Sequence, residues 1–172
     1  MSKAKEEIIK ALKVQKEIYG DALFEQKLVD KRRTSIDDPL AFDPIAANPE
    51  LFNSASSLEE LNNLICNCLK CPLGKTRNKF VFGSGHPNAD VLVLGEGPGA
   101  EEDQQGLPFV GRAGKLLTDI LVAIKFSRDD VYIANIVKCR PPANRTPFPA
   151  EMESCLPYLK KQIEIINPKV IL

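Results

Sequence analysis

The sequence has no run of 18 apolar residues and no apolar segment at its start. A transmembrane helix needs about 18–20 such residues, so no membrane span is predicted. The opening residues, MSKAKEEIIKALK, are charged throughout and lack the core of a secretory signal. We therefore expect a cytoplasmic protein, in which the five cysteines indicate a metal site or reactive thiols rather than disulfides.

A net charge is also lacking, because 23 basic residues balance 23 acidic ones. The charge is nevertheless unevenly distributed: residues 1–60 carry −3 and residues 61–172 carry +3. A net charge of +3 on residues 61–172 is compatible with a polyanionic partner but does not require one.

The length of 172 residues suits one α/β domain with an appendage. Residues 1–33 are predicted to form a helical extension, because their apolar positions roughly follow a helical stripe. Residues 34–57 are rich in Pro, Ala, Asp and Ser and are predicted to be a linker. The domain is expected to occupy residues 58–172.

Within that domain the apolar pattern alternates between buried strand and amphipathic helix. The stretches concerned are, in order, 91–94, 116–124, 131–137, 152–166 and 169–172. This order predicts an α/β fold with a parallel sheet, with Pro157 as a kink or break in the second helix. Both faces of a parallel sheet need cover, so a last strand with no helix after it indicates a sequence that is cut short.

The first strand leads into GEGPGA at 95–100, which satisfies the dinucleotide pattern G-x-G-x-x-[GA]. Three features oppose that interpretation. Pro98 removes a backbone N–H, residues 101–103 are acidic, and the amphipathic helix is expected to begin only around Ala113. A Walker loop is excluded because no G-K-[ST] follows. A plain turn, or a loop that holds a neutral planar ring with Phe109 as stacking face, remains open.

The cysteines suggest a metal centre. Cys68 and Cys71 have the C-x-x-C spacing of two thiolates on one centre, while Cys139 and Cys155 follow much later. Four thiolates suit zinc or a [4Fe–4S] cluster equally well by number, but a zinc ribbon would need a second C-x-x-C pair. Cys66 could compete as a ligand, although C-x-C gives a tighter bite than C-x-x-C.

Four motifs in this order identify a family resemblance: CLKCPLGKTR, GEGPGAEEDQQGLPFVGRAG, VYIANIVKCRPPANRTP and CLPYL. Together they resemble the iron–sulfur uracil-DNA glycosylases called family 4, over about residues 64–172. The resemblance implies a monomeric enzyme of base excision repair that hydrolyses the N-glycosidic bond of uracil in DNA. It also implies a three-layer α/β/α sandwich around a short parallel sheet, no nucleotide cofactor, and a [4Fe–4S] cluster. The ligands that it implies are Cys68, Cys71, Cys139 and Cys155.

The resemblance assigns roles to the glycine loop. Gly95 and Gly97 would cradle a uracil flipped out of the DNA stack. Glu96 would lie under the sugar as a catalytic residue, where it could orient water or stabilise oxocarbenium character. Glu102 would crowd the C5 face of the ring and so disfavour the methyl group of thymine.

The same resemblance assigns roles outside the loop. Phe109 would stack on the ring. Asn135, the second catalytic residue, would read the uracil edge, since an amide can donate to O4 and accept from N3–H. Lys138, Arg140 and Arg145 could reach phosphates, with a solvated basic face as the alternative.

The sequence departs from the family at one point. The histidine that the family supplies from a later strand and loop has no counterpart, and His86, which precedes the first strand, is interpreted as a loop residue. We therefore expect these 172 residues to excise uracil slowly or not at all. The alternatives are a catalytically dead fragment, a non-catalytic iron–sulfur module that binds DNA, or an NAD-type oxidoreductase.

Overall fold

The computed structural model describes residues 51–172. The predicted helical extension and the linker up to residue 50 lie outside the described residues. A 3₁₀ turn at Leu51–Ser54 precedes the first helix, and another lies at Pro142–Asn144. The helices are α1 (Leu58–Ile65), α2 (Leu73–Thr76), α3 (Ala100–Gln105), α4 (Arg112–Ala123) and α5 (Pro149–Ile166). The strands are β1 (Ser84–Gly85), β2 (Val91–Gly95), β3 (Tyr132–Asn135) and β4 (Val170–Ile171).

The strands form one sheet in the order β1-β3-β2-β4. The three predicted strands, β2, β3 and β4, are parallel, as expected. β1 was not predicted and pairs with β3 in the antiparallel sense. Two residues that include Gly85 at φ 124° give no alternating apolar pattern, so nothing local marks β1 as a strand. The fold is therefore α/β, as predicted, with a mixed rather than purely parallel sheet.

Helices cover both faces of this sheet, because alternate strand residues point to opposite sides. On one face α4 packs against the strands through Leu117, Leu121, Val93, Val131 and Ile133. On the other face α1 and α5 pack against them through Leu58, Ile163, Ile166, Leu92, Tyr132 and Ala134. The described part of the chain thus has the helix–sheet–helix layering that the resemblance implies.

Helix α4 leaves exposed three apolar residues that its sequence pattern predicts to be buried. The predicted helical face included Leu116, Ile120 and Ile124, but these are 61%, 52% and 57% exposed. The sheet contacts only the stripe of Leu117 and Leu121, which lie four residues apart and so share one side of the helix. The adjacent apolar stripe has no cover within residues 51–172.

Helix α5 continues through Pro157, where a kink or break was predicted. A break is wrong: the helix has 18 residues without interruption. Proline removes only one backbone donor, and the buried residues around it, Cys155, Tyr158 and Leu159, keep the helix packed on the core. Among the described helices, none combines the length and apolar content that crossing a membrane would require.

The acidic stretch after the glycine loop also differs from its prediction. Residues 100–105 form helix α3, which starts immediately after the loop, so the expectation that no helix opens there is wrong. Glu101, Glu102 and Asp103 lie in its first turn, where carboxylates complement the positive end of a helix. Gly106, at φ 79°, ends it in the left-handed conformation that favours glycine.

Candidate active site and metal centre

Two strand ends and one loop meet at the carboxyl edge of the sheet. Gly95, the last residue of β2, is the parallel partner of Asn135, the last residue of β3. A methyl group at Gly95 would collide with Oδ1 of Asn135 and would lie 2.6 Å from Cζ of Phe109. These three residues therefore pack directly against one another, which is possible only because Gly95 has no side chain.

The amide of Asn135 has no hydrogen-bond partner among the described residues. The residue is 2% exposed, and its side chain forms no hydrogen bond with any residue in the range 51–172. In the same range no fully enclosed side-chain nitrogen or oxygen lacks a partner, so the unpaired amide atoms of Asn135 keep some accessible surface. A buried amide is normally hydrogen-bonded, and this one is available to a ligand with one donor and one acceptor.

The backbone at Phe109 is held in an unfavourable conformation. Its φ is 52°, a region that bulky side chains rarely adopt. Arg128 donates one hydrogen bond to the Phe109 carbonyl (3.0 Å) and another to the Pro108 carbonyl (2.8 Å). Gly114, in the first turns of α4, allows the same carbonyl to come so close that a methyl group there would overlap it. Both contacts fix where the aromatic ring stands.

Glu102 ties the two ends of the loop together. Its Oε1 accepts hydrogen bonds from the N–H groups of Val110 and Gly111, both at 2.9 Å, and its Oε2 accepts one from Gly99 at 3.0 Å. Burial acts to raise the pKa of this carboxyl, but the backbone donors outweigh burial and hold the pKa below its usual value. Its carboxylate therefore organises the loop, and the predicted crowding of a C5 methyl stays a prediction.

Glu96 and Gly97, the other two loop residues with predicted roles, have different environments. Glu96 is exposed, and its carboxylate forms no hydrogen bond within the described residues. Its backbone carbonyl accepts from the N–H of Val137 at 3.1 Å, so the loop runs alongside the chain that follows β3. A methyl group at Gly97 would lie 2.8 Å from Cγ2 of Val137. This close approach requires glycine at position 97.

Four of the five cysteines lie in or against one core cluster. Cys68, Cys139 and Cys155 are buried in one core cluster, and Cys71 packs against it. Electrostatic interactions link Cys71 with Cys68, and each of Cys139 and Cys155 with Cys71. Cys66 instead donates from its thiol to the Asn63 carbonyl at 3.7 Å. The predicted ligand set is therefore gathered in one place without Cys66.

Two of these four sulfur atoms receive hydrogen bonds from the protein. Cys68 accepts from the Lys70 N–H (3.4 Å) and the Tyr158 hydroxyl (3.3 Å). Cys139 accepts from the Arg77 guanidinium at 3.2 Å. Donors directed at a sulfur suit a thiolate better than a thiol, and such bonds typically surround iron–sulfur clusters.

The same thiols resist ionisation when they stand alone. Burial raises the pKa of Cys139 to about 12 and that of Cys155 to about 11. A bound metal would have to displace these protons, as thiolate sites do. Within residues 51–172 no group of three or more His, Cys, Asp or Glu side chains has the arrangement to hold a single metal ion. The four sulfurs thus lie in one region of the core, but they do not surround a position for a single metal ion.

Comparison with known proteins identifies the family. The family model described as "Uracil DNA glycosylase superfamily" matches residues 82–172. The chain belongs to the uracil DNA glycosylase superfamily. The matched region contains the strand ends, the glycine loop, Phe109 and two of the four clustered cysteines, so the resemblance predicted from the four motifs is confirmed.

The curated relatives of this chain include several that share one name within the superfamily. The chain is 53% identical over 115 residues to the Type-4 uracil-DNA glycosylase of Pyrobaculum aerophilum and 50% identical over 115 residues to that of Archaeoglobus fulgidus. It is 48% identical over 121 residues to that of Thermotoga maritima. The alignments cover 67%, 67% and 70% of this chain but only 59%, 58% and 63% of those proteins. The chain thus spans about three fifths of the curated relatives that it matches.

Within this superfamily member, the three basic residues around Cys139 do not form one phosphate-binding face. Lys138 is completely buried, so the prediction that it could reach a phosphate is wrong. Arg145 forms two hydrogen bonds with the Glu151 carboxylate, at 2.7 and 2.9 Å. Arg140 is partly exposed and donates to Asn144 Oδ1 at 2.8 Å. Arg140 therefore binds a neutral amide oxygen and no carboxylate among the described residues.

The sequence did not reveal every residue that shapes the site. Arg128 is separated from Phe109 by the whole of α4, so no local pattern connects them. Asp103 is 1% exposed and accepts from the Asn78 side chain and backbone, which anchors α3 to the chain before β1. An acidic residue within an acidic run carries no signal of burial. His86 is exposed and lies in the loop after β1, as predicted.

Proposed function

We propose that this chain provides the uracil pocket of a uracil-DNA glycosylase, which hydrolyses the N-glycosidic bond of uracil in DNA during base excision repair. The observation that carries the proposal is the unpartnered Asn135 amide beside Gly95 and Phe109. The 48–53% identity to proteins named Type-4 uracil-DNA glycosylase supports it.

The pocket chemistry suits uracil. The Asn135 amide can donate to O4 and accept from N3–H, whereas cytosine presents a donor at C4 and an acceptor at N3. Phe109 would stack on the base once it is flipped out of the helix. Because Gly95 has no side chain, Asn135 and Phe109 both come close to its backbone, so the three residues would reach the same ligand.

The exposed Glu96 carboxylate supplies the charge for the reaction. It directly follows Gly95 in the chain and has no protein partner among the described residues, so it is available to orient water or to stabilise positive charge on the sugar. Glu102 fixes the loop through three backbone N–H groups and holds the pocket wall in place. Those N–H groups would have to bind phosphate in a dinucleotide loop, so their use here favours a base over a nucleotide cofactor.

The four clustered cysteines would hold a [4Fe–4S] cluster. Cys68, Cys139 and Cys155 would supply ligands from one core cluster, and Cys71, which packs against it, would supply the fourth. When bound, the cluster would tie the chain before β1, the end of β3 and helix α5 together. Hydrolysis transfers no electrons, so the protein residues alone would perform the reaction. A cytoplasmic location and a monomeric state stay predictions.

The test is a single-turnover assay of the iron-loaded chain in excess over a single-stranded oligonucleotide with one uracil. We expect slow uracil release, still above that from the same oligonucleotide with thymine, and loss of the difference in Asn135→Ala. Uracil-dependent binding without release would instead favour the non-catalytic module that binds DNA. Equal behaviour of the two oligonucleotides in binding and in release would contradict the proposal.

A further inference from the structure

One arginine binds two distant segments that carry the clustered cysteines. Arg77 follows helix α2, and its Nη1 donates to the Cys68 carbonyl at 2.6 Å and to the Cys139 sulfur at 3.2 Å. Its Nη2 donates to the Cys66 carbonyl at 3.0 Å. Cys139 comes 62 residues after Arg77 in the chain, so a single side chain joins the loop before α2 to the chain that follows β3.

The shape of the guanidinium group makes these three contacts possible. Its nitrogens donate from a rigid planar fork and can therefore bind several acceptors at once, whereas the ammonium group of lysine is a compact point charge. The guanidinium carbon of Arg77 also lies 5.3 Å from the centre of the Phe80 ring. The group is thus fixed by the direction of its hydrogen bonds and by a neighbouring ring.

The backbone around Arg77 is anchored by residues other than the cysteines. Its own N–H donates to the Leu73 carbonyl at 3.2 Å. The next two residues, Asn78 and Lys79, donate from their backbone N–H groups to Oδ1 of Asp103, at 2.9 and 3.4 Å. Asp103 is 1% exposed and lies in α3. The side chain of Arg77 therefore extends toward the cysteines from a fixed base.

Gly74 allows the cysteine loop to lie close to this base. A methyl group at position 74 would lie 2.7 Å from the Cys68 carbonyl oxygen and 3.1 Å from Nη1 of Arg77. The first of these distances is too short for a carbon atom beside an oxygen. The hydrogen bond between Arg77 and the Cys68 carbonyl therefore depends on glycine in α2.

We infer that Arg77 is the positioning residue that holds the segments of Cys68 and Cys139 together as one preformed part of the cysteine centre. The inference rests on the proposed [4Fe–4S] centre and deepens it. All three hydrogen bonds of the guanidinium lie within the protein, so they do not need iron in order to form. Without them the two segments would have to be brought together during assembly, and the ligands would be held less firmly afterwards.

The test compares Arg77→Lys and Arg77→Met with the wild type in the 172-residue chain. Lysine keeps the charge but not the fork, and methionine removes both. Arg112→Lys, at an exposed arginine at the start of α4, is the matched control. Two rates are followed by visible absorbance: formation of the chromophore after ferrous iron and sulfide are added to the iron-free chain, and its bleaching by a chelator.

We expect both Arg77 variants to form the chromophore more slowly and to bleach on the order of 10–100-fold faster than the wild type, the usual effect of removing a partner of a metal ligand. Arg112→Lys should keep both wild-type rates. The reduction potential of the loaded Arg77→Met chain should also fall, because hydrogen bonds to the ligand sulfurs help to set that potential. A packing defect alone would leave the potential unchanged.

An Arg77→Lys chain with both wild-type rates would overturn the inference, since a charge without the fork would then suffice. Faster bleaching of Arg77→Met at an unchanged potential would also overturn it. If both Arg77 variants lose the far-ultraviolet circular dichroism of the wild type, Gly74→Ala decides, because it displaces only the contact with the Cys68 carbonyl. Faster bleaching of Gly74→Ala then supports the inference, and the wild-type rate overturns it.

The wild type separates this inference from the proposed function. A wild-type chain that takes up no iron would contradict the proposed centre and the inference with it. A loaded wild type with unaltered Arg77 variants contradicts the inference alone.

Discussion

Arg128 binds the backbone carbonyl of Phe109 across the whole length of helix α4, with 3.0 Å between the Nη1 atom and the oxygen. Phe109 has φ 52°, so its conformation needs support from outside the loop. The second bond of Arg128, to the Pro108 carbonyl, fixes the residue before it. Arg128 therefore helps to determine where the Phe109 ring stands.

This relationship predicts that Arg128→Met weakens binding of a uracil-containing oligonucleotide while the ring is still present. Phe109→Ala should cost about 1–3 kcal/mol, the usual range for stacking on one base. Arg128→Met should cost a part of that amount, because the ring stays but its backbone is released. Fluorescence anisotropy with uracil and thymine oligonucleotides measures both. Arg112→Met, an exposed arginine at the start of α4, is the control, and an equal loss there would contradict the prediction.

Gly95→Ala should close the pocket. The new methyl group would meet the Asn135 amide oxygen and the Phe109 ring at once, and such overpacking typically costs about 1–3 kcal/mol. We expect uracil-dependent binding to disappear. Gly111→Ala is the matched control, since there the nearest atom, a carboxylate oxygen of Glu102, would lie at 3.3 Å. Isothermal titration with a uracil oligonucleotide measures the effect, and a Gly95→Ala chain that still prefers uracil to thymine would refute the pocket.

The meeting of Gly95 and Asn135 could be predicted from the sequence, because both residues sit at strand ends within short motifs. Gly95 and Asn135 each end a buried apolar run, and parallel strands bring such ends to one edge. Lys138 could not be placed in this way. Its burial depends on Gln162, 24 residues later in the chain. The stretch VKCR shows only alternating basic residues, which suggest a surface, and only the tertiary contacts reveal that one of them lies in the core.

Asn135→Asp should weaken recognition of uracil and move the preference toward cytosine. An ionised carboxylate offers acceptors only, so it can no longer donate to O4 of uracil, while the amino group of cytosine can donate to it. Competition between uracil and cytosine oligonucleotides for the iron-loaded chain measures the change. Asn88→Asp, in an exposed loop, should leave the preference as it is. An Asn135→Asp chain with the wild-type preference would show that this residue does not read the base edge.

The cysteine cluster predicts different outcomes for two neighbouring cysteines. Cys68→Ala should abolish the brown chromophore and lower the iron content from about four atoms per chain, because it removes one of the four gathered sulfurs. Cys66→Ala should keep both, since that thiol bonds to the Asn63 carbonyl instead. Iron analysis and visible absorbance after anaerobic reconstitution distinguish them. Stoichiometric zinc without iron in the wild type, or chromophore loss in Cys66→Ala, would contradict the ligand set.

Glu102 should make the stability of the loop depend on pH. Its folded-state pKa lies below the usual value, so its three hydrogen bonds stabilise the folded chain above the unfolded-state pKa, about 4.3 for glutamate. That stability is lost as the pH falls through the lower, folded-state pKa.

Glu102→Gln removes this ionisation and should therefore lose less stability than the wild type between pH 7 and pH 3. At pH 7 it should already be less stable, since the amide NH₂ would face a backbone N–H, and about 0.5–1.5 kcal/mol is usual for one lost hydrogen bond. Urea midpoints at the two pH values measure both effects. Glu101→Gln, one residue earlier and exposed, should follow the wild type. If Glu102→Gln lost as much stability on acidification as the wild type does, the carboxylate would not be the group that holds the loop.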